Sequence, residues 1–109
     1  MLRYGPQVGG DPEQAFHQAM VTIYQVAKRD VHYNATRFLQ MVSEHGGVEA
    51  ARQLLRTSTV SDGFTALWLE QRLDLSVEAH VLDAEFVTLF TEKERAIAQR
   101  RLDEYGYRP

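Results

Sequence analysis

Residues 34–82 read NATRFLQMVSEHGGVEAARQLLRTSTVSDGFTALWLEQRLDLSVEAHVL. Apolar residues recur in this stretch at helical spacing, and each periodic run is closed by a turn signal. Asn34 is the expected N-cap of a helix that presents Ala35, Phe38, Leu39 and Val42 on one face. Gly46 is expected to end it as a left-handed C-cap, a conformation glycine adopts without steric cost. Gly47 follows at once, so the next helix can turn sharply away. That helix carries Val48, Ala51, Leu54 and Leu55, and the small Ala50 and Ala51 would let a neighbouring helix approach closely.

The hydroxyl-rich loop Thr57-Ser58-Thr59 comes next. Ser61 or Asp62 then caps a helix whose expected buried face is Phe64, Leu67 and Trp68. Gly63 in its first turn lowers helix propensity, which suggests that something packs against it. Leu73 and Leu75 flank Asp74 in an expected short extended link, and Ser76 opens a short helix from Val77 to about Leu82.

On the N-terminal side, Asp11, Pro12 and Glu13 form a strong helix start: an N-cap, a proline at the first helical position and an acid at the positive end of the helix dipole. Phe16, Met20, Ile23, Tyr24 and Ala27 then fall on one face of a helix expected to end near Asp30. Residues 1–10 hold three glycines and a proline and read as a flexible lead-in.

On the C-terminal side, Asp83 is expected to cap a short piece containing Phe86, Leu89 and Phe90. Thr91-Glu92-Lys93-Glu94 matches a capping box. Ile97, Ala98, Leu102 and Tyr105 form the inner stripe of the last helix, and Gly106 stops it. Arg100 and Arg101 are expected to flank that stripe with packed stems and hydrated heads. Period-two alternation is absent. The expectation is an all-α fold, a compact single-domain bundle of about six to seven mostly short helices over residues 11–109.

The bulk properties narrow the function. The length of 109 residues fits one domain. With no cysteine, disulfides, thiolate metal sites and cysteine nucleophiles are excluded. No apolar run approaches the ~18–20 residues that cross a bilayer. The segment MLRYGPQVGGDP has no apolar core long enough for a signal peptide, so a cytoplasmic location without membrane attachment is expected. Residues 1–60 carry six Lys/Arg against five Asp/Glu, and residues 61–109 carry six against ten; the halves are +1 and −4, summing to the net −3. Neither half is basic enough for charge alone to indicate nucleic acid.

Four phrases, YNATRFLQMV, HGGVEAARQLL, SDGFTALWLEQRLDLSVEAHVL and LFTEKERAIAQRRLDEYGY, lie between residues 33 and 107 and take up most of that stretch. In them the chain resembles a group of small bacterial all-helical proteins of unknown function, which occur alone or attached to other bacterial proteins. The resemblance implies a compact helical bacterial protein and carries no activity, cofactor or functional residue with it.

Candidate chemistry is sparse. The segment 38–73 is helix-turn-helix-like, with Ala50-Ala51 in its first helix. Its turn from Arg56 to Ser61 is longer than usual, and DGFTALWLEQR starts with an acid where a recognition helix needs donors. Close packing explains the alanines better. Lys28, Arg29, Arg37, Arg52 and Arg56 form a candidate binding face in the first half, Arg52 and Arg56 being four apart on one helix. The competing reading is a solvated face with local ion pairs, Glu49 lying three before Arg52 and Asp30 following Arg29.

His80 with Asp83, and Glu13 with His17, have helical ligand spacing, but two isolated pairs among so many acids are expected by chance. The serines sit in caps and turns, and no phosphate-cradling loop is present. No catalytic residue, metal ligand or cofactor is therefore assigned. Trp68, Phe64, Phe86 and Phe90 read as core, while Tyr105 and Tyr107 with Arg100, Arg101 and Arg108 are a weaker docking candidate.

The sequence points first to a non-catalytic interaction module of a bacterial cytoplasm. It would bind a protein partner or itself through an exposed apolar strip or the Arg-bearing face of helices two and three. Nucleic-acid binding through the basic residues of the first half is the alternative.

Overall fold

Asp11 Oδ1 accepts the N–H of Glu13 at 3.0 Å and Pro12 occupies the first turn, so the longest helix, α1 (Pro12–Asp30), begins where its sequence signals place it. The computed structural model describes residues 11–108; the lead-in expected over residues 1–10 lies outside them, as does residue 109. Phe16, Met20, Ile23 and Ala27 are the buried face of α1, with Tyr24 half-buried beside them.

Helix α2 (Thr36–His45) starts later than expected. Its N-cap is Ala35 and no side chain caps it; Asn34 Oδ1 instead accepts the Thr36 hydroxyl at 3.0 Å. Of its expected inner face only Val42 is buried; α2 packs against α3 and α1. Gly46 has the expected positive φ of 87°, but its ψ of 157° lies outside the left-handed helical basin, in an extended region that is nearly glycine-only. That conformation lets one residue end α2 and begin α3 (Gly47–Arg56) without a linker.

Gly47 brings α3 onto α1. A Cβ there would sit 2.6 Å from His17 Cα, and the Gly47 N–H donates to His17 Nδ1 at 3.0 Å. The contact extends through Ala50 and Ala51, both wholly buried as their size suggested.

Ser61 Oγ accepts the Phe64 N–H at 3.1 Å and caps α4 (Asp62–Leu69). Phe64 and Leu67 are buried against Ala27, Leu73 and Leu102. Trp68, expected in the core, is 42% exposed. Two-turn α4 has a packing partner on one side only, and Trp68 lies about 100° round the helix from Leu67. Gly63 does have a packed neighbour: the Tyr33 ring lies 3.4 Å from where its Cβ would be.

After α4 the chain reverses through Gln71, whose φ is +58°, and Arg72, whose N–H returns to the Leu67 carbonyl at 2.8 Å. The expected extended link is a single 3-10 turn, Leu73–Leu75, closed by the Ser76 N–H on the Leu73 carbonyl. Ser76 Oγ caps α5 (Val77–Val81). Asp83 Oδ1 accepts the Glu85 N–H, and the piece that follows is a 3-10 turn, Val87–Leu89. Helix α6 (Glu92–Glu104) opens with the predicted Thr91–Glu94 capping box, both bonds being made.

The described residues form six α-helices and two 3-10 turns, without strand. The fold is an all-α bundle with two apolar clusters. The larger gathers α1, α2, α3, α5, the 83–90 segment and α6 around Phe16, whose ring meets Phe86 and Phe90 edge-on with both centroids at 5.1 Å. The smaller gathers α4, the Leu73 turn and the end of α6.

Arg101 corrects another expectation. It is buried rather than hydrated, because Glu78 of α5 is buried opposite it.

Candidate functional site

The five basic residues singled out in the sequence do not form one free face. Lys28 is exposed, with Nζ 5.9 Å from the Tyr24 ring centroid. Arg29 pairs with Asp30 at 2.7 Å; the hydrogen bond raises the arginine's pKa and lowers the carboxylate's. Arg56 pairs with Glu49 at 3.1 Å, and that hydrogen bond is the main cause of a lowered Glu49 pKa.

Arg52 turns away from Arg56. Its Nη2 donates to the Leu89 carbonyl at 2.9 Å, its Nε lies 3.3 Å from Glu94 Oε2, and its guanidinium sits 5.9 Å from the Phe90 ring centroid. It ties α3 to the start of α6. Arg37, in the first turn of α2, is exposed and has no ion pair or hydrogen bond to another described side chain.

Arg37 stands at the rim of a cleft of about 360 Å³. The cleft runs between α1, α2, α4 and α5, with Leu54 of α3 also in its wall. Ile23, Met41, Leu54, Phe64 and Val77 supply apolar wall; Tyr33, Arg37 and Asp62 stand among its polar lining; Glu78 and Ser76 are buried members of that lining. Sequence reasoning missed the cleft, since its walls come from five helices. The one local signal was Gly63, whose missing side chain accommodates Tyr33.

Glu78 Oε2 accepts from Arg101 Nη1 at 3.0 Å, and the same guanidinium donates to the carbonyls of Leu54 and Thr57. Burial pushes the Glu78 pKa up, against the lowering effect of Arg101 and of its own backbone hydrogen bond. The arginine thereby joins the Thr57 N–H and hydroxyl on the Leu54 carbonyl at the C-terminal end of α3, and holds the Thr57 carbonyl just beyond it.

A second surface lies on the outer side of α4. Trp68 and Leu69 are 42% and 68% exposed, the exposed large apolar residues among those described. Tyr105 stands between the interior and this surface. Its ring meets buried Phe64 at 5.0 Å and exposed Trp68 at 5.2 Å, both edge-to-face.

The histidines have local roles. The Gly47 N–H needs an acceptor, so His17 Nδ1 is unprotonated in that contact. The Ser76 carbonyl can only accept, so His80 Nδ1 carries a proton toward it at 2.8 Å. Among the described residues no group of three His, Asp or Glu side chains is arranged to hold a metal, and no helix is long and apolar enough to cross a membrane. Comparison with family models, curated proteins and solved structures finds no match to this chain.

Proposed function

We propose that the chain is a non-catalytic interaction module of a bacterial cytoplasm, and that it meets a protein partner, or a second copy of itself, through the surface centred on Trp68 and Leu69. The observation that carries this reading is the exposure of two consecutive large apolar side chains on one short helix. An exposed leucine alone would be ordinary. A tryptophan beside it, held by Tyr105, offers a large contact area whose side-chain freedom is already reduced, and tryptophan dominates interface hot spots. Contact is favoured over nucleic-acid binding because Arg29 and Arg56 already face carboxylates and Arg52 is engaged by the domain's own interior.

The test compares the wild type with the Trp68→Ser, Leu69→Ser double variant by light scattering across concentration and by affinity capture from a bacterial host. A stoichiometric complex present with the wild type and lost with the variant is expected. A wild type that stays monomeric and captures the same proteins as the variant sinks the reading.

A further inference from the structure

We infer that the cleft between α2 and α4 is a binding site for a small amphipathic monocarboxylate, an aliphatic chain bearing one anionic head. Protein interiors are packed as densely as organic crystals, and unfilled space in them is destabilising. An opening of about 360 Å³ in a domain this small falls within the range of ligand pockets rather than of packing defects. It lies at the seam where the two apolar clusters fail to close on each other: Ile23 and Val77 belong to the larger, Phe64 and Leu67 to the smaller.

The lining selects the occupant. Ile23, Met41, Leu54, Phe64 and Val77 offer water no hydrogen bond, so this wall is best covered by an apolar chain. Glu78 is the ionisable group buried in the lining, and its charge is already matched by Arg101 at 3.0 Å. Nothing in that pair calls for a second charge inside the cleft.

The lining includes two exposed charges, Arg37 and Asp62, that make no ion pair among the described residues. Asp62 sits in the first turn of its own helix, where the dipole already favours an acid. Arg37 has no such compensation; it adds a cation to the positive end of α2, a helix start without a side-chain cap. A carboxylate held by the Arg37 guanidinium, with its chain running inward over Met41 and Phe64, satisfies both the charge and the wall. This inference does not depend on the Trp68–Leu69 reading, since neither residue lines the cleft.

The experiment titrates the full chain with sodium octanoate, by calorimetry and by amide chemical-shift mapping, with octylamine and octanol as head-group controls. Saturable one-site binding is expected, with shifts clustered at Tyr33, Arg37, Gly63 and Val77 and weaker binding of both controls. Arg37→Gln should weaken octanoate by about tenfold, the size of one charge-assisted hydrogen bond. Lys93→Gln, which removes an exposed cation outside the cleft, should leave it unchanged. Met41→Trp, which fills the cleft, should abolish binding. Absence of saturable binding overturns the site, as do shifts clustered elsewhere. Octylamine binding as well as octanoate, with no effect of Arg37→Gln, overturns the anionic assignment; the mapping and Arg37→Gln decide the matter even if Met41→Trp does not fold.

Discussion

Arg101 Nη1 donates to Glu78 Oε2 across 3.0 Å, and the two side chains are only 5% and 3% exposed. An ion pair this deep draws charge out of water on both sides. Removing one partner leaves the other charge buried and uncompensated. Glu78→Leu is expected to lose about 3–5 kcal/mol of unfolding free energy, and Arg101→Met a similar amount. The double variant should be less destabilised than the sum, with a coupling of about 1–3 kcal/mol. Recovery will be incomplete, because Arg101 also serves the Thr57 carbonyl. Urea denaturation of the four proteins measures the cycle; strict additivity would show that the pair is not coupled.

The same carboxylate sets a pH dependence. Burial raises the Glu78 pKa in the folded state above its unfolded value. Between those two values the folded state binds more protons, so this group's contribution to stability falls as pH rises through the window. Asp30 and Glu49 have lowered pKa values, so theirs is lost as pH falls, but Asp30 is exposed and Glu49 only half-buried, and water screens both. The urea midpoint of the wild type should therefore decline relative to that of Glu78→Gln as pH rises above the ordinary carboxylate range. Parallel profiles would remove Glu78 as the source.

Two adjacent glycines should fail for different reasons. Gly47→Ala places a methyl 2.6 Å from the His17 backbone and forces α3 away from α1, with an expected loss of about 2–3 kcal/mol. Gly46→Ala meets nothing within 4 Å, yet it asks alanine to adopt a φ of +87°, at about 1–3 kcal/mol. Thermal denaturation of each variant, with a structure of Gly47→Ala, separates displacement from strain.

Trp68→Ala should lower stability by only about 1–2 kcal/mol. It loses the edge-to-face contact with Tyr105 and partial burial, not a core position. A loss of about 3–5 kcal/mol, the range for a truncated core aromatic, would mean that Trp68 is buried in solution.

Arg52 and Arg37 should part company. Arg52→Ala removes the bond to the Leu89 carbonyl and the pair with Glu94, at about 1–2 kcal/mol. Arg37→Ala should stay within about 0.5 kcal/mol, as exposed positions do. Equal effects in chemical denaturation would contradict the internal role given to Arg52.

Local signals placed most helix starts correctly, because a cap involves residues two or three apart. Asp11, Ser61, Ser76 and Thr91 each bond a nearby backbone N–H. Asn34 failed because its side chain found the Thr36 hydroxyl instead. The extended link at Leu73–Leu75 became a 3-10 turn when the reversal at Gln71 brought the Arg72 N–H back to Leu67. Of the candidate binding residues, the sequence could pair Arg29 with its neighbour Asp30, but it set Glu49 against Arg52, three residues on, whereas Glu49 pairs with Arg56, two turns along the same helix. It could not direct Arg52 to Leu89, a residue 37 positions away.

The sequence by itself determined the all-helical class, the order of the helices and the apolar stripe of α1, all consequences of short-range spacing and capping. Tertiary structure alone decided that Trp68 faces outward, that Arg101 lies inside against Glu78 and that an apolar cleft opens beside Arg37. Each depends on which residues from distant segments arrive at the same place, and helical periodicity records the face a residue occupies without recording what covers that face.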